Sequence, residues 1–216
     1  GLTDPFCGKN MGQTAEILAR EFDITREQQD EFANRSHHRA IAALDKLAEE
    51  IVPILVGPNS DKILGNDVGP RAKSSMESLA KLKPYFEKNT GTVTVGNACP
   101  ITDGGSMFLL CSEEGLKKIG AEPTARFVDY HFHGLEPQRM GMGPLLASHG
   151  VLKRSGLTLD QMDLIELNEA FAAQVIAVLM AMKDRQFSSR WGIDEALGEV
   201  DENKLNVNGG GIALGH

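Results

Sequence analysis

The sequence predicts an α/β fold, with helices layered on a mixed sheet and a helical loop region ahead of them. Three observations carry this expectation. Capped amphipathic helices dominate the first part of the chain. Later, apolar runs alternate with helical stretches. Finally, "DLIELNEAFAAQVIAVLMAMK" joins an apolar-rich strand, a polar junction and an apolar helix in one unit. The 216 residues, 41% of them hydrophobic, are enough for one sizeable core or two small ones.

The elements follow in order. "GLTDPFCGKNMG" is rich in turn formers and reads as loop, after which Ala15, Leu18, Ala19 and Phe22 recur at helical spacing. Thr25 opens a second helix, with Gln28 as its capping-box partner and Phe32, Ala33, Ala40, Ile41 and Leu44 along it. From Val52 to Pro70, Pro53, Pro58, Pro70 and three glycines predict an irregular excursion. "SSMESLAKLKPYF" predicts a shorter helix capped by Ser74 and Glu77 and ended by Pro84. "GSMFLLCSE" reads as a buried strand followed by a helix through Leu116 and Ile119, and "TARFVDYHF" as another strand. Pro144 suits the first turn of a helix that runs to about Arg154 with Gly156 behind it, and Thr158 with Gln161 caps a short turn.

Composition excludes several functions. No window approaches the ~18 uninterrupted apolar residues of a membrane span, and the first residues carry neither a basic region nor a small-residue cleavage site. A soluble protein with no membrane span is expected. The formal charge of −8 argues against a broad nucleic-acid surface, which needs a cationic face. Cys7, Cys99 and Cys111 are odd in number and sparse, which argues for a reducing, cytoplasmic compartment and against a disulfide scaffold. His37 and His38 point apart on a helix. His131 and His133 share one face of a strand, but no third ligand follows at metal-binding spacing, so no metal or other cofactor is expected. "DKLAEE" and "EEGLKK" read as solvated helix faces.

Two polar side chains are placed where chemistry could occur. Asn168 stands at the carboxyl end of the "DLIEL" strand, where ligands of α/β sheets gather. His216 follows "GGG", a run that lets backbone approach closely. Each has a structural alternative: Asn168 as a helix cap and His216 as an ordinary packed histidine.

"NEAFAAQ" at 168–174 and "NVNGGGIALGH" at 206–216 together resemble two signature blocks of the thiolase family, in the family's order. "MGQTAEILA" from Met11, "AKLKPYF" from Ala80, "GTVTVGNACPITDGG" from Gly91 and "MGMGPLLA" from Met140 are also thiolase-like. Six blocks in order cover essentially the whole chain.

The resemblance implies a thiolase-like arrangement, with residues 1–120 as the loop region and the end of the N-terminal half and 121–216 as the start of the C-terminal half. It implies that His216 is the base that deprotonates a nucleophilic cysteine and helps to form an oxyanion hole. Asn168 would hold a water in the same site. Met11 and Phe171 match positions near the acyl pocket, with plain core as the alternative. Arg71 and Ser78 match contacts to the nucleotide end of coenzyme A, which enters as substrate, with a solvated surface as the alternative. The family's nucleophilic cysteine would lie upstream of Gly1 and its second catalytic cysteine downstream of His216. None of Cys7, Cys99, which replaces a common serine, and Cys111 matches a catalytic position. The chain is therefore expected to be an inactive central and later part of a thiolase.

Subfamily follows from two departures. Asn10 stands where short-chain biosynthetic thiolases tend to carry histidine, and the segment between "NEAF" and "NVNGG" resembles thiolase subunits of fatty-acid oxidation complexes. Together they favour a 3-ketoacyl-CoA thiolase of fatty-acid β-oxidation, which cleaves its substrate with CoA to acetyl-CoA and a shortened acyl-CoA. Acetyl-CoA C-acetyltransferase is the alternative, and a non-catalytic CoA- or partner-binding module is the second. The implied partners are acyl-CoA and CoA, other copies of the full-length chain in a homo-oligomer, and a hydratase/dehydrogenase subunit. In a eukaryote the compartment would be mitochondrial or peroxisomal.

Overall fold

A computed structural model describes residues 2–216. The helices begin where polar side chains can satisfy the free N–H groups of a first turn. Helix α1 (Met11–Glu21) is capped by Asn10, whose Oδ1 accepts from Gln13 N at 2.9 Å while Gln13 Oε1 accepts from Asn10 N at 3.0 Å. Its buried residues include Ala15, Leu18 and Ala19, with Phe22 buried just beyond it. Helix α2 (Arg26–Ala42) carries the expected Thr25–Gln28 capping box and buries Phe32, Ala33 and Ala40. Leu44 begins a separate short helix, α3 (Leu44–Ala48), and is partly exposed.

The stretch expected to be irregular contains a hairpin. Strands β1 (Ile54–Val56) and β2 (Lys62–Leu64) pair antiparallel with Leu55 opposite Ile63. Pro53 precedes the first strand and Pro58 falls in the turn beside Gly57 (φ +94°), so neither removes a ladder hydrogen bond. Helix α4 (Met76–Ala80) starts one residue later than expected, capped by Ser75 with Ser78. Adjacent serines offer the same hydroxyl, and here Ser75 takes the cap, exchanging bonds with Ser78 at 3.2 Å, while Glu77 pairs with Lys81 at 2.6 Å instead.

Two expected strands do not form. The runs around 105–111 and 124–132 are extended but unpaired, with Met107, Phe108 and Phe132 at least 85% exposed. A strand is completed by a neighbour's hydrogen bonds, and no described segment supplies them. Between the runs, helix α5 (Glu113–Ile119) forms as expected, capped by Ser112 and closed by left-handed Gly120. The third expected strand is reduced to one parallel bridge, Ile165 with Leu205.

Helix α6 (Gly143–Ser155) ends on left-handed Gly156, and a 3-10 turn over Leu159–Gln161 carries the Thr158–Gln161 box. Helix α7 (Ala172–Lys183) is apolar on nearly every side, which demands burial all round. It lies at the centre and packs against α1, α2, α6 and the short helix α8 (Arg185–Ser189). One further turn, α9 (Gly211–Leu214), packs on α2. The α7 residues Val175, Val178 and Ala181 meet Leu18, Phe32, Met142 and Leu145 in the main core.

Candidate active site

The site forms where the amino end of α7 meets the end of α9. Residues 204–206 run beside 165–167: Lys204 O accepts from Ile165 N at 2.8 Å and Ile165 O from Asn206 N at 2.9 Å. Asn206 then turns the chain with φ +44°, a left-handed conformation that asparagine tolerates better than most residues. Its amide replaces the lost backbone pairing, with Oδ1 accepting from Leu167 N and Nδ2 donating to Leu167 O, both at 2.8 Å. This lock sets Leu167, and hence Asn168, in register with the glycine loop.

The three glycines that follow each answer to a neighbour, Gly210 to the Glu169 carboxylate. A Cβ at Gly209 (φ +82°) would sit 2.9 Å from Ser36 O on α2. One at Gly211 would sit 3.1 Å from Asn168 Oδ1. After α9, Gly215 (φ +101°) lies against Thr102, whose own Cβ would be 3.0 Å from a Cβ there and whose hydroxyl would overlap it. The chain so guided brings His216 to Asn168, whose Nδ2 donates to His216 Nε2 at 3.4 Å in the tautomer with the ring proton on Nδ1. Both residues are exposed.

They stand at a cavity of about 210 Å³. Its walls come from three elements: Thr14, Ala15 and Leu18 on α1, Met140, Gly141 and Pro144 at the entry to α6, and Ala170, Phe171 and Gln174 at the start of α7. The lining is mostly apolar with polar groups converging at one edge, as small-molecule sites generally are. A hydrogen-bonding amide and an imidazole beside an apolar slot can bind and polarise a carbonyl, or move a proton at a group held between them.

The other sequence-derived residues fall in different places. Phe171 lines the cavity and stacks edge-on with Phe86, their centroids 5.8 Å apart. Met11, half-buried, packs into the same small cluster behind it. Arg71 and Ser78 are exposed and do not line the cavity. The Ser78 hydroxyl is engaged in its own helix cap, donating to Ser75 O at 2.8 Å, while Arg71 lies close enough to depress the pKa of His37. Among the described residues no cysteine lines the cavity. Cys99 comes near it, donating from its N to Ala170 O at 2.9 Å, but burial pushes its thiol pKa up, away from thiolate.

Sequence reasoning missed the wall from Met140 to Pro144 and the buried carboxylate of Glu169. The second left a signal: an acid inside the apolar run "NEAFAAQVIAV" has to be paired when that run is buried.

A family model described as "Thiolase, N-terminal domain" matches residues 1–114, and one described as "Thiolase, C-terminal domain" matches residues 121–216. The chain is 43% identical to an acetyl-CoA acetyltransferase of Syntrophomonas wolfei, which covers 100% of this chain and 51% of that protein. It is 41% identical to a 3-ketoacyl-CoA thiolase of Shewanella loihica, over 97% of this chain and 49% of that protein. Among solved structures, the acetyl-CoA acetyltransferase of Bacillus anthracis superposes with a TM-score of 0.86 at 41% identity, covering 100% of this chain and 51% of that one. Human mitochondrial 3-ketoacyl-CoA thiolase in complex with CoA gives 0.81 at 39%, covering 100% and 50%. The chain thus spans about half the length of the curated relatives it matches.

Proposed function

Because the chain belongs to the thiolase family, we propose that the whole protein cleaves a 3-ketoacyl-CoA with CoA, releasing acetyl-CoA and an acyl-CoA shortened by two carbons. The supporting observation is the convergence of Asn168 and His216 at the mouth of an apolar cavity. In this reading His216 takes the proton of a cysteine thiol, and the thiolate attacks the 3-keto carbonyl. His216 and a water held by Asn168 donate to the oxyanion. The C2–C3 bond breaks, the acetyl-CoA enolate takes a proton from the second catalytic cysteine, proposed to lie outside this chain, and the acyl group stays on sulfur as a thioester. A second CoA gives its thiol proton to that cysteine and its thiolate attacks the thioester, so the acyl group leaves as acyl-CoA and the enzyme thiolate regains from His216 the proton it gave up. The nucleophilic thiol is proposed to come from the half of the relatives' length that this chain does not span.

The same reading assigns residues 1–120 to the loop region and the end of an N-terminal half, and 121–216 to the start of a C-terminal half. Met11 and Phe171 would border the acyl group, and Arg71 and Ser78 the nucleotide end of CoA. The whole protein is proposed to be a homo-oligomer in a reducing, cytoplasmic compartment, working in β-oxidation with a hydratase/dehydrogenase subunit. Among the described residues no helix is long and apolar enough to cross a membrane.

A second reading, an acetyl-CoA C-acetyltransferase, is favoured by the slightly higher identity to proteins of that name, 43–44% against 40–41%. One assay decides between them. Purified whole protein is offered acetoacetyl-CoA and a medium-chain 3-ketoacyl-CoA side by side, with His216→Ala as control. We expect the longer substrate to be preferred and His216→Ala to lower kcat at least ~10²-fold. Preference for acetoacetyl-CoA would select the second reading, and near-normal turnover by His216→Ala would overturn both.

A further inference from the structure

Directly after Asn168, Glu169 is only 1% exposed, and a carboxylate so far from water has to be matched by donors. It has three, one from α2 and two from either side of the glycine run. Ser36 Oγ on α2 donates at 2.5 Å, Asn206 Nδ2 at the left-handed turn at 2.8 Å, and Ile212 N in α9 at 3.3 Å. Ser36 extends the set, because its oxygen accepts from Gly210 N at 3.2 Å. The nearby cation, Arg39, spends its hydrogen bonds on Leu205 O and Glu202 O, at 2.6 and 2.7 Å, and so holds the segment leading into the same loop.

We propose that Glu169 is a positioning residue for the thiolase reaction: its buried carboxylate clamps the glycine loop to α2 and to its own segment, so that His216 faces Asn168. The glycine at 210 belongs to this clamp. A Cβ there would lie 2.6 Å from Glu169 Oε1 and 2.7 Å from Oε2, so the carboxylate occupies the volume that a side chain would need. The remaining supports of α9 are packing contacts: Ile212 is buried in the main core, Gly69 lies under the Ala213 carbonyl and Thr102 lies against Gly215. Steric contact keeps the turn from approaching further but does not orient it. Charge-assisted hydrogen bonds from three directions do, and the seat they give α9 is passed through Gly215 to the imidazole. Misplacement of a catalytic group by about 1 Å costs on the order of 10²-fold in rate, so a clamp remote from substrate still controls turnover.

The inference rests on the thiolysis reading for what His216 does, and its test has one arm that does not need that reading. In the whole protein, Glu169→Gln keeps the side chain's size but turns one accepting oxygen into a donor that faces donors. We expect kcat to fall about 10- to 100-fold with KM within about threefold, and no further loss when the change is made on top of His216→Ala. In hydrogen exchange, the amides of Gly210 and Ile212 should exchange at least about tenfold faster while those of central α7 stay protected. Ser36→Ala, which removes one donor and leaves the carboxylate, should show the same pattern more weakly and serves if Glu169→Gln does not fold. A kcat within about twofold of the parent, an equal loss in the His216→Ala background, or unchanged exchange at Gly210 and Ile212 would each overturn the clamp. If the unsubstituted protein shows no thiolysis, the reaction assigned above fails, and the exchange arm still decides whether Glu169 holds the loop.

Discussion

On α2, His37 is 3% exposed and its Nδ1 has no hydrogen-bond partner. Burial first, then the charges of Arg71 and His38, lower its pKa from 6.5 to about 4. Between those values the unfolded chain binds a proton that the folded chain refuses, so stability rises with pH there. The contribution is fully present above about pH 6.5 and is lost as pH falls towards 4. Its ceiling is about 3 kcal/mol. Urea denaturation at pH 7 and pH 4.5 should therefore show a smaller loss of stability for His37→Leu than for the parent. Equal losses in the two proteins would mean that His37 is not the acid-sensitive group. At this scale the sequence was only partly legible. Asn168 and His216 could be picked out because motif position marks them, whereas Glu169 and Ser36 lie 133 positions apart and their pairing exists only in the fold.

The helices were legible because their starting signals are local. Thr25 and Thr158 each lie within three residues of the backbone N–H or side chain they serve, so a short window contains the whole device. Thr25→Ala should destabilise the protein by about 1 kcal/mol by removing the cap of α2, while Thr25→Ser should be close to neutral. Thermal melts of the two variants check this, and equal shifts would show that the hydroxyl is not what starts the helix. Strands were less legible for the opposite reason. "SMFLLC" and "ARFVDYHF" have the composition of strands, but pairing is a relation with another segment and cannot be read from either alone. The β1–β2 hairpin was missed because its prolines, which usually break regular structure, stand just outside the ladder.

Taken as a whole, the chain has a well-packed helical centre around α7 and a periphery of apolar, extended backbone. Such exposed apolar area is rare on a self-sufficient monomer. The 216-residue polypeptide by itself should therefore bind a hydrophobic dye, and it should show no CoA-dependent thiolysis, because no cysteine reaches the cavity beside His216. Thiolysis above background by the mass-verified polypeptide, abolished by thiol alkylation, would show that Cys7, Cys99 or Cys111 serves as nucleophile and that the site is misassigned.

The extended run before α6 is not wholly unheld. His131 lays its ring in the notch at Gly150, where a Cβ would overlap it, and Arg154 takes Asp129 at 2.9 Å and Tyr130 O at 3.1 Å. The consequence concerns timing. A bare strand meeting another can pair in several frames, and each frame displaced by one residue turns every side chain to the wrong face and must dissolve before another is tried. With Asp129 to His131 pinned to α6, the frame is chosen before the encounter. Any segment that adds to this edge then meets a template with a single starting point, and the wait for correct assembly is shortened by the trials that no longer occur.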